Sequence, residues 1–212
     1  IPSSGKPIAV IPSIGAPLMR QCYTENIISW ASPSAHDDGI TLVADVIRQH
    51  VTKGGSLGML MGRETAVRMP LADLFALQQR LGAIHLRDMT ADIQQIRMVK
   101  SPAEQAKLRH ICGIVSDVFA HVPAWLQAGM PFDDCFRRFK IDALERGGDD
   151  VNYLVGGVGP GGYDDIIGPP VSKALATRDV LMFDTGCVWD GYFSDFDRNF
   201  GIGSASIEAQ DA

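Results

Sequence analysis

The sequence predicts two partial domains in succession, an α/β domain over residues 1–97 and an α+β domain over residues 98–212. Three observations carry this reading. Short apolar runs alternate with helical periodicities from Pro7 to Leu86, the pattern of a strand–helix layer. At Ser101 a strongly marked helix start changes the texture of the chain. Beyond Asp179 an apolar run, an Asp-Gly pair and a second run spell out a β-hairpin.

In chain order, Pro7–Pro12 (PIAVIP) and Asn26–Trp30 read as strands. A helix is expected around Ile40–Val51, where Ile40, Leu42, Val43, Val46 and Ile47 gather on one side. Leu57–Met61 reads as a buried strand, and Pro70–Leu81 as an amphipathic helix with Leu71, Leu74, Leu77 and Leu81 inward. Gly82 stops that helix, and Ala83–Leu86 reads as a strand. The strands before Pro7 are too few for a complete doubly wound sheet. Ser101-Pro102-Ala103-Glu104 supplies an N-cap, a proline at the first helical position and the Glu of a capping box. Leu108, Ile111, Val115, Val118, Phe119 and Val122 follow as an apolar stripe, which Pro123 is expected to kink or interrupt. A second helix is expected from Phe132 to about Arg146, with Phe132, Phe136, Phe139 and Ala143 on one face. Val151–Val155 then reads as a strand.

Composition narrows the function classes. The 212 residues are 46% hydrophobic, enough for a sizeable core. A net charge of −6 argues against a nucleic-acid or anionic-membrane partner, both of which want a basic patch. No run approaches the roughly 18–20 apolar residues of a membrane span, and the first residues lack a signal-peptide pattern. The four cysteines are widely spaced with no C-x-x-C, as in a reduced, cytoplasmic chain.

The chemistry-bearing stretch is Asp179–Ile202. Asp190-Gly191 suits a two-residue type I′ turn, which needs positive φ at both positions. Centred there, the register sets Asp184 opposite Asp197 and Gly186 opposite Asp195. All three aspartates then emerge on one face, with Gly186 expected to leave space in front of Asp195, while Arg198 and Cys187 point to the other side. Opposed like charges destabilise a sheet, so something positive must compensate. A divalent cation suits carboxylate oxygens, and aspartates roughly 7–8 Å apart on the diagonal could each reach one ion of a pair. The alternative at this stage is a solvated polar face.

Other signals are weaker. Gly157-x-Gly159-x-x-Gly162 matches a dinucleotide fingerprint in letters, but Pro160 and Pro169-Pro170 leave no helix to receive a pyrophosphate. It reads as a glycine-rich loop. His36-Asp37-Asp38 reads as a loop, His110 as structural or surface, and Cys187 as core.

Asp184-Thr185-Gly186, together with Gly191 through Phe200 (GYFSDFDRNF), resembles the metal-binding hairpin of the creatinase/prolidase, or pita-bread, family. That family includes Xaa-Pro aminopeptidases, prolidases and methionine aminopeptidases. Asp184 and Asp195 match its first two ligands, a D-x-G strand end and an S-D-x-x-R-x-F return strand. Ile96–Glu104 is similar to the start of the family's catalytic domain, and the segment before it to the N-terminal domain of the prolidase and creatinase branch. The resemblance implies two divalent ions, Mn²⁺ by the carboxylate-rich ligation with zinc or cobalt as alternatives. It also implies amide-bond cleavage by a metal-bridged hydroxide, an Xaa-Pro peptide as default substrate and a homodimer.

The family completes its site with a histidine and two glutamates further downstream, whereas no histidine follows His121 here. The resemblance therefore implies a chain truncated at both ends, inactive by itself, with no catalytic residue beyond the two ligands. Two departures stand apart from that. The segment Gly156–Pro170 has no histidine where family members carry one that touches substrate, which favours a small non-peptide amide as alternative substrate. Asp197 stands where family peptidases usually have Thr. The competing class is a non-catalytic binding protein on the same fold.

Overall fold

The computed structural model describes residues 1–211. It divides into two compact units, Ile1–Val99 and a second from Lys100 onward. Among the described residues no helix is long and apolar enough to cross a membrane.

The first unit runs β1 (Ile8–Pro12), α1 (Ala16–Met19), β2 (Asn26–Trp30), α2 (Ile40–His50), β3 (Ser56–Met59), α3 (Leu71–Leu81), β4 (His85–Asp88) and α4 (Thr90–Met98). β1 pairs in parallel with β2, and β3 in parallel with β4. Its core is Ala44 of α2, Leu77 and Leu81 of α3, and Ile84, with Leu57 and Leu86 packed against them. Leu71 is exposed rather than inward, being the first residue of α3 and beyond the reach of that small core. β4 begins at His85, later than the apolar run suggests. The Ile84 amide is still bonded to Leu81 O, and the His85 amide donates to Gly55 O, which opens the ladder. Helix α4 escapes the apolar pattern because only Thr90 of its residues is buried. Asp37 caps α2 by accepting from the Ile40 and Thr41 amides, and Asp38 accepts from Trp30 Nε1, Ser32 Oγ and the Ser34 amide. The His-Asp-Asp loop is thus tied into local structure.

The second unit runs α5 (Pro102–Trp125), α6 (Phe132–Glu145), β5 (Asp150–Pro160), β6 (Asp179–Trp189), β7 (Tyr192–Phe193), β8 (Phe196–Gly201) and α7 (Ile207–Asp211). β6 is central, antiparallel to β5 on one side and to β7 and β8 on the other. α5 and α6 lie on one face of this sheet. The core between them holds Ile111, Val115, Val118 and Val122 from α5, Phe132, Phe136 and Phe139 from α6, and Leu181, Phe183 and Cys187 from β6. The spacing of these residues along each helix is the stripe expected of a sheet-facing surface. Pro123 does not interrupt α5. It is the third-last residue of the helix, and the Leu126 amide still closes on Val122 O, so the missing N–H is lost only within the final turn.

The start of α5 shows the capping box. Ser101 Oγ accepts from the Glu104 amide at 3.3 Å, and the Ser101 amide donates to Glu104 Oε2 at 2.7 Å. Glu104 Oε1 also accepts from Tyr192 Oη at 3.1 Å, and Lys107 pairs with Asp190 at 2.6 Å, so this end of the helix is pinned to the hairpin turn. These bonds to its ionised form hold the Glu104 carboxyl below the usual range. Ser101→Ala is expected to lower stability by about 1 kcal/mol, read as a fall in the denaturation midpoint at unchanged slope.

Candidate metal-binding face

The hairpin register decides which side chains share a face. Asp190 and Gly191 both have positive φ, 48° and 77°, as the type I′ turn requires. The β6–β8 ladder sets Asp184 opposite Asp197 and Phe183 opposite Arg198, the register expected from the turn. Odd-numbered residues of β6 (Leu181, Phe183, Cys187) face the helices, and even-numbered ones face away. Asp184 and Asp197 therefore stand together on the face remote from α5 and α6. Asp184 is half-buried, and Asp195 and Asp197 are exposed.

Between β7 and β8 the ladder breaks at Ser194 and Asp195. Ser194 is nonetheless fixed: its amide donates to Cys187 O at 2.9 Å, and its hydroxyl accepts from the Cys187 amide at 3.1 Å. That keeps the register across the break and brings Asp195 out beside Gly186. Cys187 is fully buried beneath, and burial pushes its thiol up, so it is core and not a nucleophile.

Burial, then the charges of Asp195 and Asp197, raise the Asp184 carboxyl above its usual value, and a hydrogen bond from Tyr153 partly opposes them. No ion pair among the described residues involves any of the three aspartates. Arg198 lies on the opposite face, its guanidinium 5.9 Å from the Phe119 ring centre and 5.4 Å from that of Phe196. Among the described residues no cationic side chain pairs with these carboxylates, and such an oxygen donor set fits a hard divalent cation. Among the described residues no three His, Cys, Asp or Glu side chains converge closely enough to hold a metal ion.

One residue of this face went unassigned in the sequence. Tyr153 of β5 pairs with Gly186, and its hydroxyl donates to Asp195 Oδ1 at 2.5 Å. A Cβ on Gly186 would lie 2.2 Å from the Tyr153 ring, so Gly186 does not leave open space before Asp195; the phenol occupies it. Desolvation and the bond to Asp195 both push the phenol pKa up. Parity along an unbroken strand would have sent Tyr153 elsewhere. The register of β5 shifts between Val151 and Tyr153, and only that bulge brings the ring to this side.

The glycine-rich segment is not all loop as the sequence suggested: residues 157–160 continue β5, paired with β6 from Met182 to Asp179, and only beyond Pro160 does the chain turn and fold back on that strand. A Cβ on Gly157 would lie 2.3 Å from Asp165 O, and one on Gly159 would lie 2.5 Å from Gly162 O. Tyr163 Oη donates to Asn199 Oδ1 at 2.8 Å, which ties the loop to β8. No helix follows, so no pyrophosphate cradle exists there. His110 packs against Trp189 with ring centres 4.3 Å apart, a structural role.

Comparison with known proteins gives a consistent picture. The family model for metallopeptidase family M24 matches residues 106–212. A probable dipeptidase PepE from Mycobacterium tuberculosis is 25% identical over 208 residues, covering 96% of this chain and 52% of the relative. The crystal structure of dipeptidase PepE from Mycobacterium ulcerans superposes with a TM-score of 0.77 at 25% identity, over 99% of this chain and 54% of that one. A recombinant prolidase from Thermococcus sibiricus superposes with a TM-score of 0.80 at 20% identity, over 99% and 55%. This chain spans about half the length of the relatives it matches.

Proposed function

Because the chain belongs to metallopeptidase family M24 and carries part of its pita-bread fold, we propose that it forms part of a metal-dependent peptidase whose cation site includes Asp184 and Asp195. The observation that carries this reading is the Asp184 carboxylate, half-buried beside two like charges and in no ion pair among the described residues. A bound cation would offset both the burial and the like charges that disfavour the ionised carboxylate.

Each residue of the face has a defined part. Asp184 comes from the regular ladder of β6 and offers a rigidly placed carboxylate, while Asp195 offers a second from the return strand. Tyr153 donates to Asp195 and leaves its other oxygen free to ligate. Phe183 and Cys187, alternating with the site residues along β6, lock the strand from beneath. The chemistry divalent ions supply at such a site is activation of water at neutral pH and polarisation of the scissile carbonyl. Mn²⁺ suits the oxygen-rich donors. Two of the superposed proteins are described as dipeptidase and prolidase, which supports a short peptide, with Xaa-Pro as the first substrate to try. The absence of histidine from Gly156–Pro170 favours a small non-peptide amide as second choice.

The test is Mn²⁺ binding and hydrolysis by the protein that carries this chain, offered Xaa-Pro dipeptides, other dipeptides and small amides, before and after chelation. The expected result is Mn²⁺ binding and cleavage of a dipeptide that chelation abolishes and Mn²⁺ restores. A protein that binds no divalent ion overturns the reading, and cleavage of only the amides selects the second substrate class.

A further inference from the structure

Asp195 is the less constrained of the two proposed ligands. It is exposed and lies in the gap between β7 and β8, outside both ladders, so the sheet by itself does not orient its carboxylate. The Tyr153 hydroxyl does reach it, donating to Oδ1 at 2.5 Å.

The backbone makes a specific provision for this contact. Val151 lies opposite Cys187, and both are buried against the helices. Two residues on, an unbroken strand would point Tyr153 into that same core. The register shift between them puts Tyr153 opposite Gly186 instead, on the carboxylate face. Gly186 completes the provision, since any Cβ there would strike the ring. An extra residue in β5 and a missing side chain in β6 thus serve one hydrogen bond.

We propose that Tyr153 is a positioning residue for cation binding: its hydroxyl holds Asp195 in the orientation in which it shares a cation site with Asp184, and the bulge before it sets it there. The inference rests on the reading of Asp184 and Asp195 as ligands. Partners that orient a ligating carboxylate typically contribute 10–100-fold to metal affinity.

The experiment is Mn²⁺ binding by competition with a chelator, measured on the unsubstituted protein, Tyr153→Phe, Gly186→Ala and Asp195→Asn, with thermal melts of each metal-free form. Tyr153→Phe keeps the ring over Gly186 and removes only the hydroxyl. The expected result is roughly 10–100-fold weaker binding at unchanged stoichiometry, with the metal-free melting temperature little changed. Gly186→Ala displaces the ring from the other side and is expected to weaken binding similarly, deciding the matter should Tyr153→Phe not fold. Unaltered affinity in either folded variant overturns the inference alone. No Mn²⁺ binding by the unsubstituted protein overturns the ligand assignment and this inference with it.

Discussion

Asp184→Asn is expected to weaken Mn²⁺ binding by at least about 100-fold while making the metal-free chain more stable at pH 7. The first effect exceeds the 10–100-fold typical of losing a partner that merely orients a ligand, because here the ligand itself is removed. The second follows from the charges of Asp195 and Asp197, which with burial raise the Asp184 pKa in the folded chain. A raised folded-state pKa means the folded form holds the proton more tightly than the unfolded form. Asp184 therefore favours folding fully below the ordinary carboxylate pKa and loses that contribution as pH rises through the folded value. Asn cannot ionise, so the variant keeps what the wild type loses. The expected gain is a few tenths to about 1 kcal/mol, the range for opposed like charges in a sheet. Denaturant melts of both forms from pH 4 to pH 7 measure it. The variant's advantage is expected to grow with pH, and saturating Mn²⁺ is expected to reverse it by stabilising only the wild type. A variant less stable than wild type at pH 7 without metal would show that the three carboxylates do not repel.

Phe183→Ala is expected to lower the stability of the second unit by about 3–5 kcal/mol. Phe183 is fully buried in the central strand, and its ring centre lies 5.3 Å from Phe136, 5.2 Å from Phe139 and 6.4 Å from Phe200. Truncation opens a cavity where α6 meets the sheet, and the loss is large against the 5–15 kcal/mol stability of ordinary domains. Because Phe183 precedes Asp184 in β6, the same substitution is expected to weaken Mn²⁺ binding. The fluorescence of Trp125 and Trp189, in a Trp30→Phe background, follows the second unit by itself. A loss under 1 kcal/mol would mean the aromatic cluster does not hold the hairpin.

Legibility from sequence followed how local each determinant is. The Asp190-Gly191 turn, the Ser101–Glu104 capping box and the α6 stripe each depend on a few neighbouring residues, and each emerged as read. The turn mattered most, since turn type sets hairpin register, and register alone put Asp184 opposite Asp197 and sent Arg198 to the other face. Helix α4 was not legible because its residues are almost all exposed and carry no apolar period. The inward direction of Leu71 failed for a related reason: periodicity names a face but not how far the core extends beneath it.

By itself, then, the sequence determined the hairpin, its register and the shared face of three aspartates, because a two-residue turn and a period of two leave no freedom. The tertiary structure alone decided what stands in front of Asp195. Tyr153 reaches it through a bulge in a strand remote in sequence, and a bulge leaves no mark in the alternation of apolar and polar residues. The cause is physical. Pairing between distant strands is set by the packing of Val151 and Leu154 against α5 and α6, and one unpaired residue between them turns every side chain beyond it to the other face.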